Sequence, residues 1–183
     1  MIIQPGKIRK SHQKRQEYKY VNRGDMVSKK ILFNNDWQFT RQKIGSGMEK
    51  ILKDESIWKR IDLPHDWVIY DTAFFHESGE GWYRKKFFLS PEKNTLYYLC
   101  FDGVYMDTTV YINGIKAGEW KYGYSSFEVD ITNGLKKQEE NEILVRVVLK
   151  VPNSRWYTGG GIYRNVWLKK VPQIHFSSNG IYI

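Results

Sequence analysis

From residue 31 onward the apolar residues never sustain the 3.6-residue period of a long helix. They fall in short runs rich in β-branched and aromatic residues, divided by turn signals, which restricts the fold to an all-β sandwich or barrel. Runs at 31–33 and 37–39 flank the turn Asn34-Asn35-Asp36, and the run 58–63 ends at Pro64. Along 81–89, Trp82, Arg84, Lys86 and Phe88 alternate with Tyr83, Lys85, Phe87 and Leu89, while 95–101 is apolar enough to predict burial on both faces. Residues 108–112 and 115–120 flank Asn113-Gly114, the pair that best fits a two-residue type I′ hairpin turn. Runs at 126–131 and 142–149 read as a further strand pair, and 162–171 closes the set. Only 47–53 has the character of a helical turn. Strands of this number, with polar turns, predict two packed antiparallel sheets, a jelly roll or similar sandwich.

Composition narrows the chemistry. The single cysteine, Cys100, excludes an intrachain disulfide, and no Cys or His pair has metal-ligand spacing, so neither a metal nor a cofactor is expected. Apolar runs are far below the ~20 residues of a membrane span, and no leader-like apolar stretch follows the N-terminal basic residues, so a cytoplasmic protein without a membrane partner is expected. Of the formal charge of +9, five units lie in residues 1–25, where seven basic residues face only Glu17 and Asp25. That stretch has no apolar periodicity and is read as a disordered basic extension (residues 1–30 as a unit), with Met26 as an alternative start. A nucleic-acid arm is the other reading of such charge.

Aromatic residues make up 16% of the chain, more than a core of this size requires, and two loops combine some of them with charged residues. The first, 64–80, carries His65, Asp66, Trp67, Tyr70, Asp71, Phe74, Phe75 and His76. The second, 152–161, carries Asn153, Ser154, Arg155, Trp156, Tyr157 and three consecutive glycines, Gly159, Gly160 and Gly161. Loops of this kind on a rigid sandwich are where binding resides. The glycine run does not read as a phosphate cradle, since no Lys-Ser or Lys-Thr follows it and a strand comes next.

With these segments in view the chain resembles the N-terminal sugar-binding domain of glycoside hydrolase family 2. The match rests on Leu63-Pro64-His65-Asp66-Trp67, on Gly81-Trp82-Tyr83-Arg84-Lys85, on Phe101-Asp102-Gly103-Val104 continuing through Asn113-Gly114 to Gly123-Tyr124-Ser125-Ser126-Phe127, and on the Ser154 to Arg164 segment. The order of the four motifs carries more weight than any one. The Leu-Pro-His-Asp-Trp form leans toward the β-galactosidase branch. The resemblance implies a galactose-binding-domain-like jelly roll over 31–172, followed at 173–183 by a linker or first strand toward an immunoglobulin-like domain.

It also implies a retaining hydrolase whose two catalytic Glu stand on a later barrel domain, which needs about 250 residues of its own. No catalytic residue is therefore nominated, and the chain alone is expected to be inactive. Asp66, Trp67, Arg155, Trp156 and Tyr157 are the candidate sugar contacts, by charge-assisted hydrogen bonds and by stacking of indole on the C–H face of a sugar. Each also has a structural reading: Asp66 as the residue ordering the turn after Pro64 or pairing with Arg155, the tryptophans as interdomain packing. Arg84 and Arg164 are read as structural ion-pair or stacking partners, and His65 as a packed loop residue. The expected partners are a β-galactoside-type carbohydrate, bound weakly or not at all without the barrel, the barrel domain itself, and further copies of the chain through an exposed aromatic patch. A free-standing carbohydrate-binding module is the alternative, and a basic nucleic-acid binder a more distant one.

Overall fold

The computed structural model describes residues 28–74, 76–152, 159–178 and 180; the basic extension of residues 1–25 lies outside them. Among the described residues ten strands form two antiparallel sheets. One has four strands, in the order β1 (Lys29–Leu32), β10 (Val166–Pro172), β5 (Thr95–Phe101) and β8 (Phe127–Asp130). The other has six, in the order β3 (Lys59–Ile61), β2 (Trp37–Gln42), β4 (Gly79–Phe88), β9 (Glu140–Leu149), β6 (Thr108–Ile112) and β7 (Ile115–Trp120). This is the antiparallel jelly-roll sandwich that the spacing of apolar runs predicts. At Asn113-Gly114 both residues take positive φ, 50° and 81°, as a type I′ turn demands. The Asn113 amide holds the turn in place by donating to Gly134 O and Asn141 Oδ1.

Alternation along each strand builds the core. Trp37, Tyr83, Val145 and Val110 stand on the inner face of the six-stranded sheet, against Leu99, Phe101, Val129 and Leu168 of the other. Three expectations need correction. Runs 126–131 and 142–149 are not a pair: β8 joins β5 in one sheet, whereas β9 lies between β4 and β6 in the other. Their polar connection crosses the sandwich, a geometry that a local pattern cannot distinguish from a long hairpin. In β5 only Tyr97, Leu99 and Phe101 face the core, and Leu96 and Tyr98 are half-buried on the outer face. Residues 162–165 precede β10 rather than belonging to it.

The outer face of the six-stranded sheet is covered as well. Helix α1 (Met48–Lys53) and the following single turn at Glu55–Ile57 lay Ile51 and Trp58 on Trp82 and Leu144, forming a second small core. Two charged clusters fasten this flap. Arg84, almost wholly buried, pairs with Glu55 through Nη1, at 2.8 Å, and Nη2, lies under the Trp58 ring, and donates from Nε to Gln38 Oε1 at 2.9 Å. Arg84 is thus the structural partner its position suggests, and its hydrogen bonds, helped by its charge, hold the Glu55 carboxyl below the usual range. At the other end of the flap, Glu80 binds Arg146, the Trp82 indole and Gly45 N. Burial and the nearby Glu128 push the Cys100 thiol up to about 12, which keeps it protonated and unreactive. Among the described residues no helix is long and apolar enough to cross a membrane.

Candidate functional site

Leu63-Pro64 brings the chain from β3 to one end of the sandwich, where residues 65–67 run alongside residues 160–162. His65 N donates to Ile162 O at 2.8 Å and Trp67 N to Gly160 O at 3.0 Å. Asp66 then caps the single helical turn α2 (Trp67–Tyr70). Its Oδ1 accepts from Val68 N at 2.9 Å and Ile69 N at 3.3 Å, and from Gly160 N at 3.0 Å across 94 residues of sequence. One carboxylate oxygen therefore orders its own turn and clasps the two motif loops together.

Trp67 lies beneath this clasp, 2% exposed, stacked on Phe39 with ring centroids 5.7 Å apart. The glycines around it are required by its bulk: a Cβ at Gly81 would stand 2.4 Å from the indole, and one at Gly160 2.6 Å. Gly161, at φ 128°, has Tyr83 Oη and His65 O where a Cβ would be. The N–H groups of Gly160 and Gly161 are taken by Asp66 and by Tyr105 O, which is a physical reason why this glycine run is not a phosphate cradle.

Asp66 is 6% exposed, so of the nominated residues the two that are described, Asp66 and Trp67, form the floor of the loop. Arg155, Trp156 and Tyr157 lie outside the described residues. What the first loop presents to solvent is Ile69 and Tyr70, 66% and 72% exposed, above a hollow of about 320 Å³ shared with Pro64, His65 and Tyr163.

His65 is packed between Phe39 and Tyr70, with Nδ1 2.9 Å from Tyr83 Oη. Burial lowers its pKa to about 4, against a partial opposing effect of the Asp66 charge, so the ring is neutral at pH 7. In the unfolded chain it titrates near 6.5. The contribution of His65 to stability is therefore full above about pH 6.5 and declines as pH falls toward 4, because over that window its ring binds the proton in the unfolded chain and not in the folded one. With partial solvent screening the loss is expected to reach about 2 kcal/mol. Urea denaturation at pH 7 and pH 4.5 measures it, and His65→Gln should remove that part of the difference; an unchanged difference in the variant would refute the assignment.

A second concavity adjoins the first. Pro64 and Tyr163 line both, and the second, of about 720 Å³, continues past Asp102, Tyr124, Ser125, Ser126, Arg164 and Asn165. The sequence places Tyr124, Tyr163 and Arg164 within the motifs that carry the resemblance, but nothing in local pattern shows that four separate segments, at residues 64, 102, 124–126 and 163–165, converge there. Among the described residues no group of three or more His, Cys, Asp or Glu is arranged to hold a metal.

Residues 33–172 match the sugar-binding domain of glycosyl hydrolases family 2. This chain belongs to that family. The family 2 domain is 42% identical over 166 residues to the beta-galactosidase BoGH2A of Bacteroides ovatus, covering 82% of the chain and 19% of that protein. It is 39% identical over 163 residues to a putative beta-glucuronidase of Formosa agariphila, covering 82% of the chain and 16% of that protein. A crystal structure of a glycosyl hydrolase family 2 member from Bacteroides cellulosilyticus superposes with a TM-score of 0.72 at 39% identity, over 81% of the chain and 22% of its own length. The family 2 domain thus spans about a fifth of the length of these relatives. Relatives named for the two sugars are nearly equally similar, so family membership is shared ground between them.

Proposed function

We propose that this domain forms the rim of the sugar site of a retaining hydrolase acting on β-galactosides, and that the carboxylates that break the bond stand on another domain. The observation that carries the reading is the Asp66 clasp, which fastens the aromatic and charged first loop to Gly160, one of the glycines that close the second motif. Asp66 and Trp67 serve as positioning residues under that rim. Arg155, Trp156 and Tyr157, between the Val151-Pro152 turn and the clasped glycines, are the residues proposed to reach the sugar, by guanidinium hydrogen bonds and indole stacking. Because relatives named for galactose and for glucuronate are nearly equally similar, the choice of galactose rests on the Leu-Pro-His-Asp-Trp motif.

The division of labour is tested by incubating the purified chain with nitrophenyl β-galactoside and, in parallel, nitrophenyl β-glucuronide. Release at the blank rate is expected from both. Turnover that disappears on mutation of a carboxylate of this chain would overturn the reading.

A further inference from the structure

We infer that the cleft between residues 122–126 and 163–165 is an oligosaccharide subsite, taking the sugar units that extend beyond the one held at the 64–70 loop. The inference rests on the carbohydrate reading above, but the cleft is built wholly from this chain.

Its walls are rigid. Tyr163 Oη donates to Gly123 O at 2.8 Å, tying one wall to the other, and Asp102 N donates to Asn165 O at 3.0 Å beneath them. Asp102 Oδ2 is in turn held by the Trp167 indole at 2.8 Å, and Trp120 Nε1 donates to Ser125 Oγ at 3.2 Å. Tyr124, 38% exposed, is fixed edge-on between Tyr105 and Tyr122, at 5.3 and 5.6 Å between ring centroids. The cleft therefore offers a pre-set aromatic face at little entropic cost.

The polar groups suit the same ligand. Arg164 is exposed, makes no ion pair among the described residues, and rests only over the Tyr163 ring at 5.3 Å. Two serine hydroxyls, the Asp102 carboxylate and the Asn165 amide share the lining with it. Phenol faces interspersed with a guanidinium, hydroxyls and an amide match alternating C–H and O–H surfaces of a saccharide. The concavity, of about 720 Å³, is shallow and open to solvent, and Pro64 and Tyr163 make it continuous with the hollow at the first loop. A chain of sugars lying along this end would pass from one to the other.

The experiment is a two-dimensional amide NMR titration of the chain with galactose, galactobiose and galactotetraose, and with a uronic-acid-containing tetrasaccharide as a second arm. Expected are shifts at residues 122–126 and 163–165 that appear with the disaccharide and strengthen with the tetrasaccharide. Tyr124→Ala should weaken that binding about fivefold and Arg164→Gln about tenfold. Arg164 is exposed and its replacement spares the packing, whereas Tyr124→Ala gives up ring contacts with Tyr105 and Tyr122, so that variant's amide spectrum away from the cleft must first match that of the parent chain. A stronger response to the uronic-acid arm, abolished by Arg164→Gln, would support the subsite and identify its ligand as anionic. Shifts confined to residues 65–70 would overturn the subsite and leave the rim reading standing. No shift in either segment at tens of millimolar saccharide would also overturn it, while the rim reading keeps its own turnover test.

Discussion

Replacing Glu80 by alanine is expected to cost about 3 to 5 kcal/mol, because it leaves a largely covered Arg146 without its partner. Glu80 is wholly buried at the start of β4, on the outer face of the six-stranded sheet. Its Oε2 accepts from Arg146 Nε at 2.9 Å and Nη2 at 2.7 Å and from Gly45 N at 3.1 Å, and its Oε1 accepts from the Trp82 indole at 2.9 Å. Four donors thus converge on one carboxylate. Alanine would leave the guanidinium, only 26% exposed, without its counter-charge and would free the Gly45 end of the flap. Thermal melting should fall by about 10 °C, at the 2–4 °C per kcal/mol typical of domains of this size.

The double variant Glu80→Met with Arg146→Met separates pairing from packing. Removing both charges together should be milder than removing one, since no buried charge is then left uncompensated. A loss below about 1 kcal/mol for Glu80→Ala, or a double variant worse than the single, would show that the cluster does not fasten the flap.

Much of this architecture is legible before any coordinates, and the parts that are not share a cause. Strands β5, β6 and β7 begin and end where apolar runs do, because alternation and the Asn113-Gly114 turn are local properties. Sheet membership is not local: β8 and β9 look like neighbours in sequence yet belong to opposite sheets. Glu80 looks like an ordinary surface residue after Gly79, and only the return of residues 43–58 over the sheet buries it. Asp66 is singled out by its motif, but the Gly160 N–H that defines its task is 94 residues away. The cleft at Tyr124 and Arg164 is missed for the same reason, since four separate segments supply it and none alone has the character of a site.

Asp66 provides the second large effect and a way to divide geometry from charge. Asp66→Ala removes a helix cap, ordinarily worth about 0.5 to 2 kcal/mol, and leaves the buried Gly160 N–H without an acceptor, about 1 to 3 kcal/mol more. A total of about 2 to 4 kcal/mol is expected in urea denaturation. Asp66→Asn keeps an oxygen at the Oδ1 position for all three donors and should restore most of that loss. Hydrogen exchange gives the local readout: the amides of Val68 and Gly160 should lose protection in the alanine variant and regain it with asparagine. If the two variants are equally destabilised, the negative charge rather than the clasp holds the loops together. If alanine costs less than about 1 kcal/mol, the loops are joined by the backbone bonds of His65 and Trp67 alone.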